Sequence, residues 1–506
     1  MKEFYYDAKD RMNLVRRMHE NMSPGKVDDI TWNDLEMDQV FLEINHGECF
    51  LGEQYLYHML HCSNDNIPED LIEEFEKESK LKKSIKDRLR KIGKVTESYY
   101  LYELLKDSDM LLLDKGWVIH LLQVTLIVFG IIAMVTQNPF FIAALVVNGL
   151  INLTIYLFVK RKYEIFINTM MSFKEIYDNA GALIKNQTLS RYISEPEKRA
   201  YQNIKNLSRI MAGVISRKRA SFTGEVVVMM VEYIYGVLLY DIAIYNLVMK
   251  GIYKKEQDVL LILQMIGRID CAMNIAEYRS RVDRWCIPGF SDSSFKMEGL
   301  VHPLIDKPVE NELTIDEKII ITGPNAAGKS TFIKAVAIGS ILAQSINTVT
   351  ANRFVLPKMK VMTCMALRDD VISHESYYYR EANYIKRILE EVQQSNDKLF
   401  IVIDEILKGT NTKERIAASK AILEYLSERD VYVIIATHDM ELTSQKGYVN
   451  FHFDSQILED EIVFDYKIHE GVSSSKNAIA LLEYLQYPSE IITNARSYLN
   501  ENRRSI

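Results

Sequence analysis

The chain has 506 residues, of which 48% are hydrophobic and 26% charged, a size that suits two to four domains with sizeable cores. A formal net charge of −8 argues against wholesale coating of a polyanion, although one basic face remains compatible with DNA. The five cysteines (Cys49, Cys62, Cys271, Cys286 and Cys364) are odd in number and include no C-x-x-C pair, which suits a reducing interior and argues against zinc or a disulfide scaffold.

Met1 to Asp7 lack the apolar core of a secretory signal. Thr31-Trp32-Asn33-Asp34-Leu35 reads as a capped helix start, and Phe50 to Leu56 continues with helical period. Residues 69–94 switch from acidic to basic. Lys80, Lys82, Lys83, Lys86, Arg88, Arg90, Lys91 and Lys94 read either as a solvated helix or as a surface drawn to phosphate, of DNA or of anionic lipid.

Two apolar runs follow, Trp117 to Val135 and Phe140 to Val159, separated by Thr136-Gln137-Asn138-Pro139 and containing no charged residue. As helix, about 20 residues cross a hydrocarbon core of roughly 30 Å. Lys115 precedes the first run, Lys160-Arg161-Lys162 closes the second, and the turn carries no Lys or Arg, so the positive-inside rule puts both ends in the cytoplasm. A transmembrane hairpin over residues 117–159 is therefore expected. The competing reading is a pair of core helices, favoured by His120, Gln123, Asn148 and Asn152, which in lipid must hydrogen-bond across the hairpin. The later run Val226 to Met249 contains Glu232 and Asp241 and reads as a core helix. Residues 163–281 return to amphipathic helices, and Ile287 to Ser294 marks a boundary.

Beyond it, the apolar run Lys318 to Ile321 leads into Gly323-Pro324-Asn325-Ala326-Ala327-Gly328-Lys329-Ser330-Thr331, a G-x-x-x-x-G-K-[ST] loop, followed by the helical Phe332 to Val336. Glycines let successive N–H groups face phosphate oxygens at a helix N-terminus. Lys329 then reaches the β- and γ-phosphates of a bound nucleotide, and Ser330 offers a hydroxyl to Mg²⁺. Leu399 to Glu405 is a β-run ending in two carboxylates: Asp404 is placed to hold Mg²⁺ and Glu405 to polarise the attacking water. A third strand, Val431 to Thr437, ends at His438, a candidate γ-phosphate sensor.

These residues resemble the ATPase domain of the MutS family. Thr322 to Thr331 matches its T-G-P-N-x-x-G-K-S-T, Asp404 to Thr412 its D-E-x-x-x-G-T-x-T, and Ala436-Thr437-His438 its A-T-H. His302-Pro303 stands where the family carries an H-P dipeptide, and Ile462 to Lys467 and Ile491 to Leu499 look like its ending. The resemblance covers about residue 295 to the end, with a weaker echo of the family's helical core, or lever, around Leu35, Gly52 and Leu56. One motif departs. Where the family writes G-x-S-T-F-M-x-E, this chain has His374-Glu375-Ser376-Tyr377-Tyr378-Tyr379-Arg380-Glu381. The resemblance implies that Ser376 contacts nucleotide in the partner subunit; otherwise it caps a helix.

The expected fold class is an α/β P-loop ATPase domain (ABC-like, MutS type) joined to an all-α core or lever domain with a transmembrane helical hairpin. The expected divisions are 1–115 and 161–290 for the lever, 116–160 for the hairpin and 295–506 for the ATPase domain. The site set is Glu405, Lys329 and His438 for catalysis, Gly323 to Thr331 with Ser376 for ATP, and Ser330 with Asp404 for Mg²⁺. The resemblance implies a homodimer and a DNA-binding or DNA-repair role, with ATP preferred over GTP. Phe41-Leu42-Glu43 matches the letters of the family's mismatch-reading motif, but only forty residues precede it and that domain is not expected. The expected location is the inner or cytoplasmic membrane, with the ATPase domain in the cytoplasm. The alternative is an ATP-gated membrane tether without a DNA ligand. An ABC transporter subunit is disfavoured, since no L-S-G-G-Q signature occurs.

Overall fold

The computed structural model describes residues 8–22, 25–62, 67–77, 79–107, 116–210, 230, 233–324, 327–365, 377–458, 461–472, 482–483 and 487–501. In chain order the helices are α1 (Ala8–Asn21), α2 (Asp29–Asp34), α3 (Met37–Ile44), α4 (Phe50–Cys62), α5 (Glu69–Glu76), α6 (Lys80–Ile92), α7 (Leu101–Lys106), α8 (Gly116–Thr136), α9 (Pro139–Ile184), α10 (Glu195–Asn203), α11 (Tyr240–Tyr253) and α12 (Glu256–Arg281). The strands are β1 (Gly289–Phe290), β2 (Lys296–Leu300), β3 (Asn311–Thr314), β4 (Lys318–Thr322), β5 (Arg353–Leu356), β6 (Lys360–Cys364), β7 (Leu399–Asp404), β8 (Tyr432–Ala436), β9 (Tyr448–Leu458) and β10 (Glu461–Glu470). Helices α13 (Lys329–Ile346), α14 (Tyr377–Gln394), α15 (Thr412–Ser427) and α16 (Ser489–Glu501) are interleaved with them. Two compact units result: residues 1–24, 45–58 and 67–278, and residues 25–44, 59–66 and 279–506.

The first unit is helical. Asp270 of α12 caps α4 from outside, accepting from the N–H groups of Glu48 (3.1 Å) and Cys49 (3.0 Å) and from the Cys49 thiol (3.1 Å). Its burial pushes that carboxyl up to about 6. The basic α6 starts at the Ser79 cap and stops at Gly93, whose φ of +66° suits glycine. Lys86 pairs with Glu48 and Glu277, Arg90 with Glu48, and Lys94 with Glu53, so part of its charge is neutralised within the unit.

Helices α8 and α9 form an antiparallel hairpin. Asn138 caps α9 by accepting from the Phe140 N–H, with Pro139 in the first turn. Lys160-Arg161-Lys162 ends the apolar stretch but not the helix: α9 runs 46 residues to Ile184. Beyond the triplet no Gly or Pro occurs before Gly181, and Phe173, Ile176, Tyr177, Ala180 and Leu183 keep a buried stripe at helical spacing. The apolar windows of α8 and of residues Pro139–Tyr163 are each only 17% buried, whereas that of α12, also long and apolar enough to cross a membrane, is 78% buried. The run expected as one core helix over 226–249 is broken instead. Leu239 has a φ of +49° and α11 starts after it, while residues 226–229, 231 and 232 lie outside the described residues.

The second unit holds a six-stranded sheet of order β10-β9-β4-β8-β7-β6, parallel except for β10, and a four-stranded sheet of order β1-β5-β2-β3. All six residues of β7 are buried, as a continuous apolar run predicts for a strand covered on both faces. Residues 25–44, which the sequence reading placed in the helical part, fold with this unit. The N–H groups of Thr363 and Met365 at edge strand β6 donate to Thr31 Oγ1 (3.2 Å) and Asp34 Oδ2 (3.0 Å) of α2, and the Thr363 hydroxyl donates to Asp34 (2.7 Å). The cap of α2 is Asp28, not Thr31, and Arg387 of α14 donates to Asp28 at 2.5 Å. Phe41 is fully buried, in agreement with a core role.

Candidate nucleotide site

The site forms at the C-terminal ends of β4, β8 and β7, neighbours in the sheet, where ligands of parallel α/β sheets bind. β4 ends at the buried Thr322, and the chain turns through Gly323, whose φ is +135° and where a Cβ would collide with the Phe453 carbonyl oxygen. Gly328, at φ +98°, precedes α13; a Cβ there would press to 3.1 Å from the Tyr466 ring. Both positions therefore demand glycine. Pro324 accepts from the Ala327 N–H at 3.1 Å, closing the turn. Asn325, Ala326 and Ser376 lie outside the described residues.

Lys329 is 2% exposed and donates to the Gly323 carbonyl. Burial lowers its pKa, and the charges of Glu405 and Asp404 oppose that shift, which ties the lysine electrostatically to both carboxylates. Ser330 and Thr331 follow in the first turn of α13. Asp404 closes β7, paired in register with Ala436 of β8, and the Glu405 N–H donates to the Ala436 carbonyl at 2.8 Å. Glu405 and Leu407 both have positive φ (+67° and +57°), so the chain reverses sharply and turns the Glu405 carboxylate inward, 4% exposed. His438 Nδ1 lies 2.6 Å from Glu405 Oε2, and Lys408 Nζ is 3.9 Å from the same carboxylate. Lys329, Asp404, Glu405 and His438 are thus brought together.

Three supports escaped the sequence reading of the site. Arg415 of α15 donates to both oxygens of Asp439 (2.7 and 3.1 Å), fixing the residue after His438. The buried carboxylate of Glu381 accepts from the N–H groups of Lys408 (3.0 Å) and Gly409 (3.3 Å), holding the turn after Glu405; desolvation pushes its pKa up. Glu381 was visible as the last letter of the degenerate signature, but without a role. The third is a cavity of about 320 Å³ beside the loop, lined by residues that include His302, Ile305, Asn311, Gly328, Phe332 and Tyr466. A register shift in β10 between Phe464 and Ile468 places Tyr466 there, and Asn311 secures it by donating to the Tyr466 carbonyl (3.0 Å) and accepting from the Ile468 N–H (2.8 Å). No local spacing marks such a bulge.

A family profile for MutS domain V, a P-loop ATPase-type α/β domain, matches residues 319–502. Over 262 residues the chain is 30% identical to the DNA mismatch repair protein MutS of Thermotoga maritima, covering 49% of this chain and 32% of that protein. It is 31% identical over 257 residues to the protein of the same name from Fervidobacterium nodosum, covering 48% and 31%. It is 30% identical over 273 residues to human MutS protein homolog 4, covering 50% and 28%. The alignments span about a third or less of these relatives. The matched segment contains the whole glycine-rich loop and every strand tip of the site, and over residues 319–502 the chain is similar to domain V of the MutS family.

Proposed function

We propose that the chain is an ATP-hydrolysing switch of MutS type, anchored in a membrane through residues 117–159 and acting on DNA as a homodimer. The observation that carries the ATPase reading is the convergence of Lys329, Asp404, Glu405 and His438 at adjacent strand tips. Two buried carboxylates, a buried ammonium and a loop where Cβ atoms would intrude suit a Mg²⁺–nucleotide. Ser330 and Asp404 would hold Mg²⁺, which neutralises phosphate charge. Lys329 exchanges the Gly323 carbonyl for β- and γ-phosphate oxygens. Glu405, steadied by His438, orients a water and takes its proton as the water attacks the γ-phosphorus and the bond to the β-phosphate oxygen breaks. The cavity beside Tyr466 receives the base.

Support for the anchor comes from two largely exposed apolar helical stretches, each long enough to span and without charge between Trp117 and Val159. Trp117, Tyr163 and Tyr245 lie near the hairpin's base beside Lys160-Arg161-Lys162, in keeping with an aromatic and basic interface. This arrangement favours the inner or cytoplasmic membrane, with the ATPase unit in the cytoplasm. The DNA role rests on the names of the relatives.

The test is ATP turnover by the full chain with duplex, branched and mismatched DNA across a salt series. Stimulation that falls as salt rises is expected. Turnover indifferent to every DNA removes the DNA role and leaves an ATP-driven tether, and absent turnover removes the ATPase. Alkaline carbonate extraction tests the anchor: protein retained in the pellet is expected, and release would return α8 and α9 to a soluble role.

A further inference from the structure

The apolar hairpin contains polar side chains that need a purpose, and two of them point to the same place. Gln123 Nε2 donates to the Leu238 carbonyl (2.9 Å) and Asn152 Nδ2 to the Val237 carbonyl (2.8 Å). In an unbroken helix those carbonyls would accept from N–H groups four residues on. The left-handed Leu239 ends that ladder and α11 accepts its first bonds from Leu239 onward, so Val237 and Leu238 lie outside it. Side chains from both hairpin helices take over the two freed acceptors.

The register along the hairpin is continuous. Gly116, at its base, lies so close to Asn246 that a Cβ would collide with the amide. Higher up, Leu239 and Ile242 pack with Ile119 and Tyr156. Gly236 abuts the same Tyr156 and Leu153, where a Cβ would come to 2.8 and 3.2 Å, and higher still Val237 reaches Gly149. Gly149 is eleven residues from Lys160, about 16 Å along the helix. Residues 233–239 therefore lie at the depth of the hairpin's apolar stretch. Their outward side chains, Tyr233, Ile234 and Leu238, are exposed and apolar like those of the hairpin around them.

The chain also returns to where it set out. Lys255 donates to the Asn203 carbonyl, and Asn203 donates to Asp258 at 3.1 Å, so the excursion from 203 to 255 begins and ends at one point. A segment that leaves and returns at one point cannot cross a bilayer once.

We infer that residues 233–239 form a re-entrant element buried in lipid hydrocarbon, docked on the hairpin by Gln123 and Asn152. This rests on the membrane reading of residues 117–159. Residues 233–237 are helical, and at the turn of Leu238 and Leu239 the helical ladder breaks; a break at membrane depth is tolerated only where protein satisfies the freed polar groups, and these two amides do so. Asp241, three residues below Leu238, lies toward the hairpin base, where a charge can reach the interface.

Photolabelling decides the matter: the full chain in phosphatidylethanolamine–phosphatidylglycerol vesicles, a trifluoromethyl phenyl diazirine partitioned into the bilayer, and peptide mapping. Labelling of 233–239 within about twofold of the hairpin, and about tenfold above α4, is expected for a lipid-buried element. Hairpin labelling with 233–239 at the level of α4 overturns this inference and leaves the anchor standing; no labelling of either overturns both. In the double variant Gln123→Leu, Asn152→Leu, labelling of 233–239 falls at least about threefold while the hairpin's own labelling stays constant, since only the docking bonds are lost. Unchanged labelling of 233–239 in that variant removes the two amides from the role.

Discussion

Lys329 and Glu405 have separable duties, and their substitutions separate them. Lys329→Ala removes a buried ammonium that interacts with both carboxylates, so nucleotide binding is expected to be lost in a fluorescent-nucleotide titration. Glu405→Gln keeps the volume and the His438 contact but not the base. Binding is expected to persist while turnover falls about 10²-fold or more; normal turnover would move the base elsewhere. His302 makes a different prediction. Burial, with help from Lys334, pushes its pKa down to about 4, and its Nδ1 accepts from the Leu304 N–H at 3.2 Å. The unfolded chain takes up a proton first, near the ordinary pKa of about 6.5. Stability from the neutral imidazole is therefore complete above that pH and is lost as pH falls toward 4. Urea unfolding at pH 7 and pH 5 should show a smaller acid loss for His302→Asn than for the parent chain. Equal losses would mean that His302 is not kept neutral by the fold.

Among the elements, legibility followed sequence distance. The loop Gly323–Thr331 and strand β7 were readable because a phosphate cradle and a doubly buried strand are written in consecutive residues. The docking of α2 on β6 was not, because Asp34 and Thr363 are 329 residues apart and neither carries a local signature. Thr31 looked like the cap of its own helix, yet its side chain and that of Asp34 serve the edge of the sheet. The basic triplet at Lys160 marked the end of the apolar stretch but said nothing of the helix that continues to Ile184, because charge limits an apolar run whereas only backbone chemistry ends a helix. Asp34→Ala leaves the Thr363 hydroxyl and the Met365 N–H without their acceptor, a cost of about 2–3 kcal/mol. The urea midpoint should fall accordingly, and an unchanged midpoint would mean that α2 contributes nothing to holding the edge strand.

At the scale of the whole molecule, the sequence separated a helical part from an α/β part but not the interleaving of the two units, since residues 25–44 and 59–66 are as helical in pattern as their neighbours. The polar residues of the hairpin were ambiguous for the same reason: Asn148 donates to Thr125 across the hairpin at 2.7 Å, while Asn152 and Gln123 serve a segment some 85 to 115 residues away. Helix α9 carries one more implication. Its 46 residues make an uninterrupted rod about 69 Å long, less than half of it inside the apolar stretch. A rod cannot change its inclination at one end only: about 5° of tilt carries the far end through about 6 Å. Spanning helices answer a thinner or thicker hydrocarbon layer by tilting. On the proposed membrane reading, turnover measured in vesicles of graded acyl-chain length is expected to vary steadily with chain length, and a flat response would remove the coupling of α9 tilt to turnover. Hydrocarbon thickness would then act as an effector, delivered by leverage rather than by binding.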